Sequence, residues 1–180
     1  MSYYKRRNDM KILVLSGSPR KTGKTAQMVK AFKEGAESAG HEVVVHDVAH
    51  MKIGGCLACE YCHTKGEGKC IQKDDMQKVY PDLYSAQAVI FASPIYYFTM
   101  TAQIEDAIQR FYPTGTIDNI EKSGLILCSA SPGVYAAAEA QLDDMNGYMM
   151  WEKAGVVTVY GDDNIPEAKL QEAYDLGKNM

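Results

Sequence analysis

The stretch Lys11-Ile-Leu-Val-Leu-Ser16-Gly17-Ser-Pro-Arg-Lys-Thr-Gly-Lys-Thr25 reads as a strand, a turn rich in glycine and hydroxyl groups, and the opening of a helix. The run Ile12 to Leu15 is apolar without alternation, which suits a strand covered on both faces. Beyond the turn, Thr25, Val29, Phe32 and Ala36 recur at helical spacing and share one face. A strand joined this way to a helix is the repeating unit of a parallel sheet.

The rest of the chain repeats the alternation. Val43–Val45, Ala88–Ser93, Gly124–Ser129 and Gly155–Tyr160 are four further candidate strands. Between and after them lie apolar stripes at helical period: Met76, Val79, Tyr80, Leu83 and Tyr84; then Ile104, Ala107, Ile108 and Phe111; then Leu142, Met145 and Met149; and a weaker Leu170, Ala173 and Tyr174. Asp74 or Asp75 is the expected N-cap of the first of these, and Pro81 is expected to split or kink it. Right-handed crossovers then give a three-layer α/β sandwich, a five-stranded parallel sheet with helices on both faces. Ligands in such sheets bind outside the carboxyl ends of the strands, where the strand order switches direction. The loops after each strand are therefore the places to look for chemistry.

The chain has 180 residues, 46% hydrophobic and 23% charged, which is an ordinary composition for one globular domain. The expected organisation is an N-terminal tail, residues 1–10, and a single domain, 11–180, with a cysteine-rich loop at 54–71. A net charge of −4 argues against a nucleic-acid partner, whose footprint is a basic excess. No apolar run approaches the roughly 18 residues of a membrane span. Ile12 to Leu15 is too short for the core of a signal peptide. The expectation is a cytoplasmic protein with no membrane partner.

The loop after the first strand has the makings of an anion site. Free backbone N–H groups and the positive end of the helix converge there. Ser18, Thr22 and Thr25 add hydroxyl donors, and Arg20 and Lys24 add charge; a plain strand–helix turn capped by Thr22 or Thr25 is the blander alternative. The ending Gly23-Lys24-Thr25 suggests a nucleotide triphosphatase loop, but that motif places four residues between its glycines. Five separate Gly17 from Gly23 here. Neither Phe91–Ser93 nor Leu127–Ser129 supplies an acidic residue for magnesium, and the dinucleotide fingerprint of three spaced glycines is absent. A mononucleotide phosphate fits better.

After the third strand comes Ser93-Pro-Ile-Tyr-Tyr-Phe-Thr-Met-Thr101. Neighbouring side chains diverge, so at least one of Tyr96, Tyr97 and Phe98 is expected in the crevice, where a flat aromatic ligand could stack. Covering the sheet edge is the alternative. After the fourth strand, Ser129-Ala-Ser-Pro-Gly133 is small enough for backbone N–H groups to approach a ring edge; an ordinary turn reads equally well. Cys128 is expected to be a buried apolar filler.

Four of the five cysteines crowd into one loop: Cys56, Cys59, Cys62 and Cys70. In a cytosolic chain this points to a metal or redox site more than to disulfides. The Cys-x-x-Cys-x-x-Cys run matches the grip of iron–sulfur clusters. Zinc more often takes two separated pairs, and free, reactive thiols are a further reading. His63 could compete as a ligand but reads more simply as an exposed loop residue.

The segment from Leu15 to Thr25 resembles the phosphate loop of flavodoxin-like NAD(P)H-dependent FMN reductases, whose pattern is Gly-Ser-Pro-Arg, a few residues, then Gly-Asn-Thr. Lys24 stands where asparagine is usual. The Ser-Pro-x-Tyr segment at 93–96 and the small loop at 129–133 resemble that family's second and third flavin-contacting loops. With the four-cysteine motif and Asp74-Asp75-Met76, the chain resembles the iron–sulfur flavoproteins, in which such a motif holds a [4Fe-4S] cluster. The seven-residue gap before Cys70 is near the long end of their range. The resemblance runs from about Lys11 to Gly161.

That resemblance implies a flavodoxin-like fold and an FMN-dependent oxidoreductase taking a hydride from NADH or NADPH and passing electrons to an acceptor. FMN would be held by Ser16, Ser18, Arg20, Gly23, Lys24 and Thr25 at the phosphate, by Pro94, Ile95, Tyr96 and Tyr97 at the ring, and by Ser131 and Gly133 at its far edge. Cys56, Cys59, Cys62 and Cys70 would hold the cluster. No residue stands out as a general acid or base. A homo-oligomer is expected, because flavin crevices of this family are commonly completed by a second subunit; the apolar Tyr148–Trp151 is either core or part of that contact. The rival readings are a flavodoxin-like electron carrier without NAD(P)H activity and a non-redox protein that binds a phosphorylated metabolite.

Overall fold

The computed structural model describes residues 9–162 and 164–180. Of the segment expected as an N-terminal tail, residues 1–10, only Asp9 and Met10 fall among them, and Met10 packs against the core. Five strands form one sheet: β1 (Lys11–Ser16), β2 (Glu42–Asp47), β3 (Ala88–Pro94), β4 (Lys122–Ser129) and β5 (Glu152–Tyr160). Every neighbouring pair is parallel, and the order is β2-β1-β3-β4-β5. That is the flavodoxin-like order of a doubly wound sheet, with its switch point between β1 and β3. Among the described residues no helix is long and apolar enough to cross a membrane.

Alternation along β1 divides the core in two. Leu13 and Leu15 face one side, with Val89, Phe91, Leu125 and Leu127 from the neighbouring strands. They are covered by α3 (Met76–Leu83), α4 (Ala102–Gln109) and α5 (Ala136–Met149), which contribute Val79, Leu83, Ile104, Ala107 and Leu142. Ile12 and Val14 face the other side with Ala88, Ile90, Ile126 and Val157. There α1 (Lys24–Ser38) and α6 (Glu167–Lys178) supply Met28, Phe32, Ala36 and Ala173. The predicted stripes thus point inward, except that Tyr84, just past the end of α3, is exposed. Pro81 does not split α3, which runs through it and ends two residues later at Leu83. Three short elements escaped the sequence reading: α2 (Tyr61–Thr64), a single turn within the cysteine loop, and the 3-10 turns Val48–His50 and Tyr112–Thr114.

The C-terminal helix is bound by backbone contact. A Cβ on Gly35 of α1 would overlap the carbonyl of Tyr174, and one on Gly177 of α6 would overlap the carbonyl of Phe32. These glycines let the two helices approach until main chain meets main chain. Gly177→Ala is expected to lower stability by about 1–3 kcal/mol, the usual cost of overpacking. Gly147→Ala, in α5 with open space around the new methyl, is expected to be neutral or to stabilise by roughly 0.5–1 kcal/mol. Urea midpoints of the two variants check both signs.

Beside β1 and β2, Asp82 ties three elements together. It accepts from Lys11 Nζ at 2.7 Å and lies 2.6 Å from His46 Nε2. Burial works to raise its pKa, but the Lys11 and His46 hydrogen bonds outweigh it and hold the carboxyl below the ordinary range. A depressed carboxylate contributes stability above its unfolded pKa of about 4 and loses it as the pH falls through the folded value. Asp82→Asn is therefore expected to be less stable than the parent at pH 7, with the difference closing near pH 3, as urea melts at the two pH values would show.

Candidate functional site

A knot of contacts at the switch point brings three elements together. The Gly17 N–H donates to Ala92 O at 2.8 Å, and Thr101 Oγ1 donates to Gly17 O at 2.9 Å. The Thr101 N–H in turn donates to Ser93 Oγ at 3.0 Å. A Cβ on Gly17 would overlap Ile104 and Thr101, so only glycine permits this approach. The β1 loop, the end of β3 and the start of α4 are fixed together here.

A crevice of about 370 Å³ opens beside the knot, within the roughly 300–1,000 Å³ of small-molecule sites. Its walls carry Ser18, Arg20, Gly23, Lys24 and Thr25 from the first loop, and Pro94, Ile95 and Tyr96 from the loop after β3. Gly23 is the N-cap of α1 and offers no side-chain cap, which leaves the positive helix end to an outside anion. Ser18 is buried and shapes the loop, its Oγ accepting the Arg20 N–H at 3.2 Å. Ser16 is buried at the strand end, and Tyr97, Ser131 and Gly133 do not line the crevice.

The structure adds Cys128, Ser129, Ala130, Gly161 and Asp162 to the walls. Residues 161 and 162 follow β5, a strand end whose loop lacks any marked residue type, so the sequence offered only its position as a signal. Cys128 is buried as expected, and burial raises its thiol pKa against smaller opposing effects of Thr25 and Lys24. Lys24 takes an unexpected post. Its ammonium donates to Ser129 O at 2.9 Å and to Gly161 O, joining the ends of β4 and β5 across the crevice.

The aromatic loop is a tight hairpin, with Tyr96 and Thr99 exchanging backbone hydrogen bonds at 3.0 and 3.2 Å. Tyr97 and Phe98 occupy its tip at φ 52° and 72°, a region that bulky residues enter at a cost of order 1–3 kcal/mol each. Tyr97 is 97% exposed, and Tyr96 and Phe98 are also exposed. All three aromatics therefore face outward, with Tyr96 against the crevice.

The cysteine loop begins after β2 and packs its thiols beside the last turn of α4. The Cys56 N–H donates to Gln109 Oε1 at 3.3 Å, and Arg110 NH1 donates to Gly54 O at 2.9 Å. Cys56, Cys59, Cys62 and Cys70 all line one small cavity, together with Arg110 and Tyr112. Ala58 and Glu60 adopt left-handed backbone at φ 49° and 55°. The Ala58 N–H is thereby turned onto Cys56 Sγ at 3.4 Å. Burial and the nearness of Cys70 push the Cys62 thiol up, so ligation there must displace a proton.

The donor set can be tested against what it might hold. A tetrahedral zinc ion needs sulfurs about 3.8 Å apart, given Zn–S bonds of about 2.3 Å. Among the described residues no three Cys, His, Asp or Glu side chains are placed to hold one ion. Four cysteine ligands are the donor set that a sulfur-bridged iron group takes, and here the four thiols line one cavity. Its space of about 10 Å³ has room for roughly one water, so seating such a group requires the loop to spread.

Asp74 and Arg110 were missed as site residues. Asp74 Oδ2 accepts from Arg110 NH1 at 2.6 Å and from the Gly54 N–H at 3.1 Å, while Oδ1 accepts from the Met76 N–H at 3.1 Å. Burial opposes the charge on Asp74, but Arg110 and the two amides hold its pKa below the usual carboxylate range. Arg110 lies three residues after Ala107 on the buried stripe of α4, and a guanidinium on an apolar stripe was the signal to follow.

A family model for NADPH-dependent FMN reductases matches residues 10–161, and the chain belongs to that family. An iron–sulfur flavoprotein of Archaeoglobus fulgidus is 40% identical over 106 residues, 59% of this chain and 47% of its own length. One of Methanocaldococcus jannaschii is 41% identical over 101 residues, 56% of this chain and 50% of its own. The chain thus spans about half the length of the curated relatives it matches. An NAD(P)H:quinone oxidoreductase from Methanothermobacter marburgensis superposes with a TM-score of 0.71 at 19% identity, over 95% of this chain and 96% of that one. An azoreductase from Bacillus anthracis does so with a TM-score of 0.70 at 17% identity, over 94% and 99%. These likenesses show the flavodoxin-like fold.

Lys24→Asn restores the residue usual in the family's phosphate loop and removes the link between the β4 and β5 ends. Backbone hydrogen exchange is expected to quicken at Ala130 and Asp162 while the strands themselves stay protected.

Proposed function

We propose that the chain is an FMN-dependent oxidoreductase that moves electrons from NADH or NADPH to an acceptor, with a [4Fe-4S] cluster at its four cysteines. The observation that carries the flavin part is the crevice at the β1/β3 switch point, with an uncapped helix end and hydroxyl and cationic side chains at one side and Tyr96 at the other, in a chain of the FMN reductase family. The uncapped end of α1, with Ser18, Arg20, Gly23, Lys24 and Thr25, takes the phosphate. Pro94, Ile95 and Tyr96 border the ring, and Ser16 supports the loop from the end of β1; Tyr97, Ser131 and Gly133, which lie outside the crevice walls, would meet the ring only from its open side. Bound FMN supplies the hydride-accepting and electron-donating chemistry. The chain's own part is to anchor the phosphate, orient the ring and exclude water from its inner face.

The cluster part is supported by the four thiols around one cavity and by iron–sulfur flavoproteins among the relatives. The two sites are joined by α4, whose first turn touches the Gly17 knot and whose last turn touches the cysteine loop. Its eight residues span about 12 Å. Homo-oligomers in the cytoplasm complete the proposal. Trp151 is core, whereas Tyr148 and Met150 are exposed and available to a second copy.

Thr25 is 2% exposed and lines the crevice. Thr25→Val and Arg20→Ala are each expected to weaken FMN binding by about ten- to a hundredfold, as loss of a hydrogen bond to a charged group implies; quenching of FMN fluorescence reads this. Anaerobic addition of NADH or NADPH to the FMN-loaded protein is expected to bleach the flavin band. A flavin that binds but stays oxidised would make the protein an electron carrier. A protein that binds no FMN would leave the phosphometabolite reading.

A further inference from the structure

Arg110 is a charged side chain only 1% exposed to solvent. One of its nitrogens is fully engaged, NH1 donating to Asp74 Oδ2 and Gly54 O. The other two, Nε and NH2, are buried with no hydrogen-bond partner among the described residues. A charged donor left unpaired inside a protein costs more than a neutral one. The same side chain lines the cavity shared by the four loop cysteines. The side chain that carries two idle, cationic donors thus lines the same small space as the four thiols.

We propose that Arg110 is the fixed counter-charge and hydrogen-bond donor of the sulfur-ligated group held by the four cysteines, its Nε and NH2 directed at sulfur, and that it raises that group's reduction potential. The inference rests on the reading of the cysteines as ligands of a [4Fe-4S] cluster. Each added electron makes such a group more negative, so a nearby cation stabilises the reduced form more than the oxidised one. Hydrogen bonds to sulfur act in the same direction. Asp74 works the opposite way, because its carboxylate offsets part of the Arg110 charge. Arg110 is thus a positioning and tuning residue, and Asp74 both aims it and attenuates it.

The test uses the full chain reconstituted anaerobically with iron and sulfide. Dithionite donates the electron that takes the cluster from the 2+ to the 1+ state, and the midpoint potential is read by electron paramagnetic resonance. Arg110→Gln is expected to shift the potential to more negative values, Arg110→Lys to shift it less, and Asp74→Asn to shift it to more positive values. Lys73→Gln removes the same charge from an exposed side chain and is expected to leave the potential near the parent value. Opposite shifts at Arg110 and Asp74 are what a purely structural role would not produce.

Unmoved potentials in Arg110→Gln and Asp74→Asn, with the cluster still present, would overturn the inference and leave the cluster reading standing. If Arg110→Gln fails to fold, Asp74→Asn decides: a positive shift supports the inference, and no shift or a negative one overturns it. A parent protein that takes up neither iron nor sulfide would overturn the cluster reading and this inference together.

Discussion

The contact between Gly17 and the start of α4 is the constraint on which the site depends. Its amide reaches across to β3, its carbonyl is held by Thr101, and the side of the residue is filled by Ile104. A parallel sheet with right-handed crossovers already brings every strand's carboxyl end to one rim. What it does not fix is how closely the first loop and the third-strand loop approach. The glycine does that, and it sets the inner end of the crevice. It also anchors α4, and α4 carries the consequence to the other end of the helix, where Gln109 and Arg110 receive the cysteine loop.

The two sites follow one electrostatic pattern, although their chemistries differ. Each gathers positive charge or free donors around a place suited to an anionic group. At the crevice these are the open end of α1 and the cations of its loop; at the cysteines they are the buried guanidinium. The crevice is tied across its outer side by Lys24, which reaches carbonyls on β4 and beyond β5. A neutral asparagine is too short to make that link. The charge substitution noticed in the sequence is therefore tied to loop geometry in this structure.

Most of the fold was legible in the sequence because its signals are local. Ile12 to Leu15 announces a strand buried on both faces, and Thr25, Val29, Phe32 and Ala36 fix the inward face of α1. Pro81 does not split α3 because its missing N–H removes a single rung, to the carbonyl of Gln77, and the helix runs only two residues further. The loop after β1 was legible for the same reason as the strands, since its candidate groups, Ser16 to Thr25, lie within ten residues. What stayed hidden depends on contacts between distant segments. Nothing in the neighbourhood of Gly177 says that it meets Phe32, and nothing near Gly161 marks it as a wall of the crevice. Arg110 and Asp74 are 36 residues apart, and their pairing exists only once the segment before α3 meets the end of α4.

The central claim is that one chain holds a flavin crevice and a cluster site linked by a single short helix. The most direct test is to purify the protein without oxygen and count FMN, iron and acid-labile sulfide per chain, alongside the visible spectrum. The account predicts FMN near one, with about four irons and four sulfides, the iron lost and the FMN kept when the cysteines are replaced by serine. FMN with no iron after reconstitution would contradict the cluster half of the claim. Iron that survives loss of all four cysteines, or a chain that binds no FMN, would contradict the account of how the loops are used.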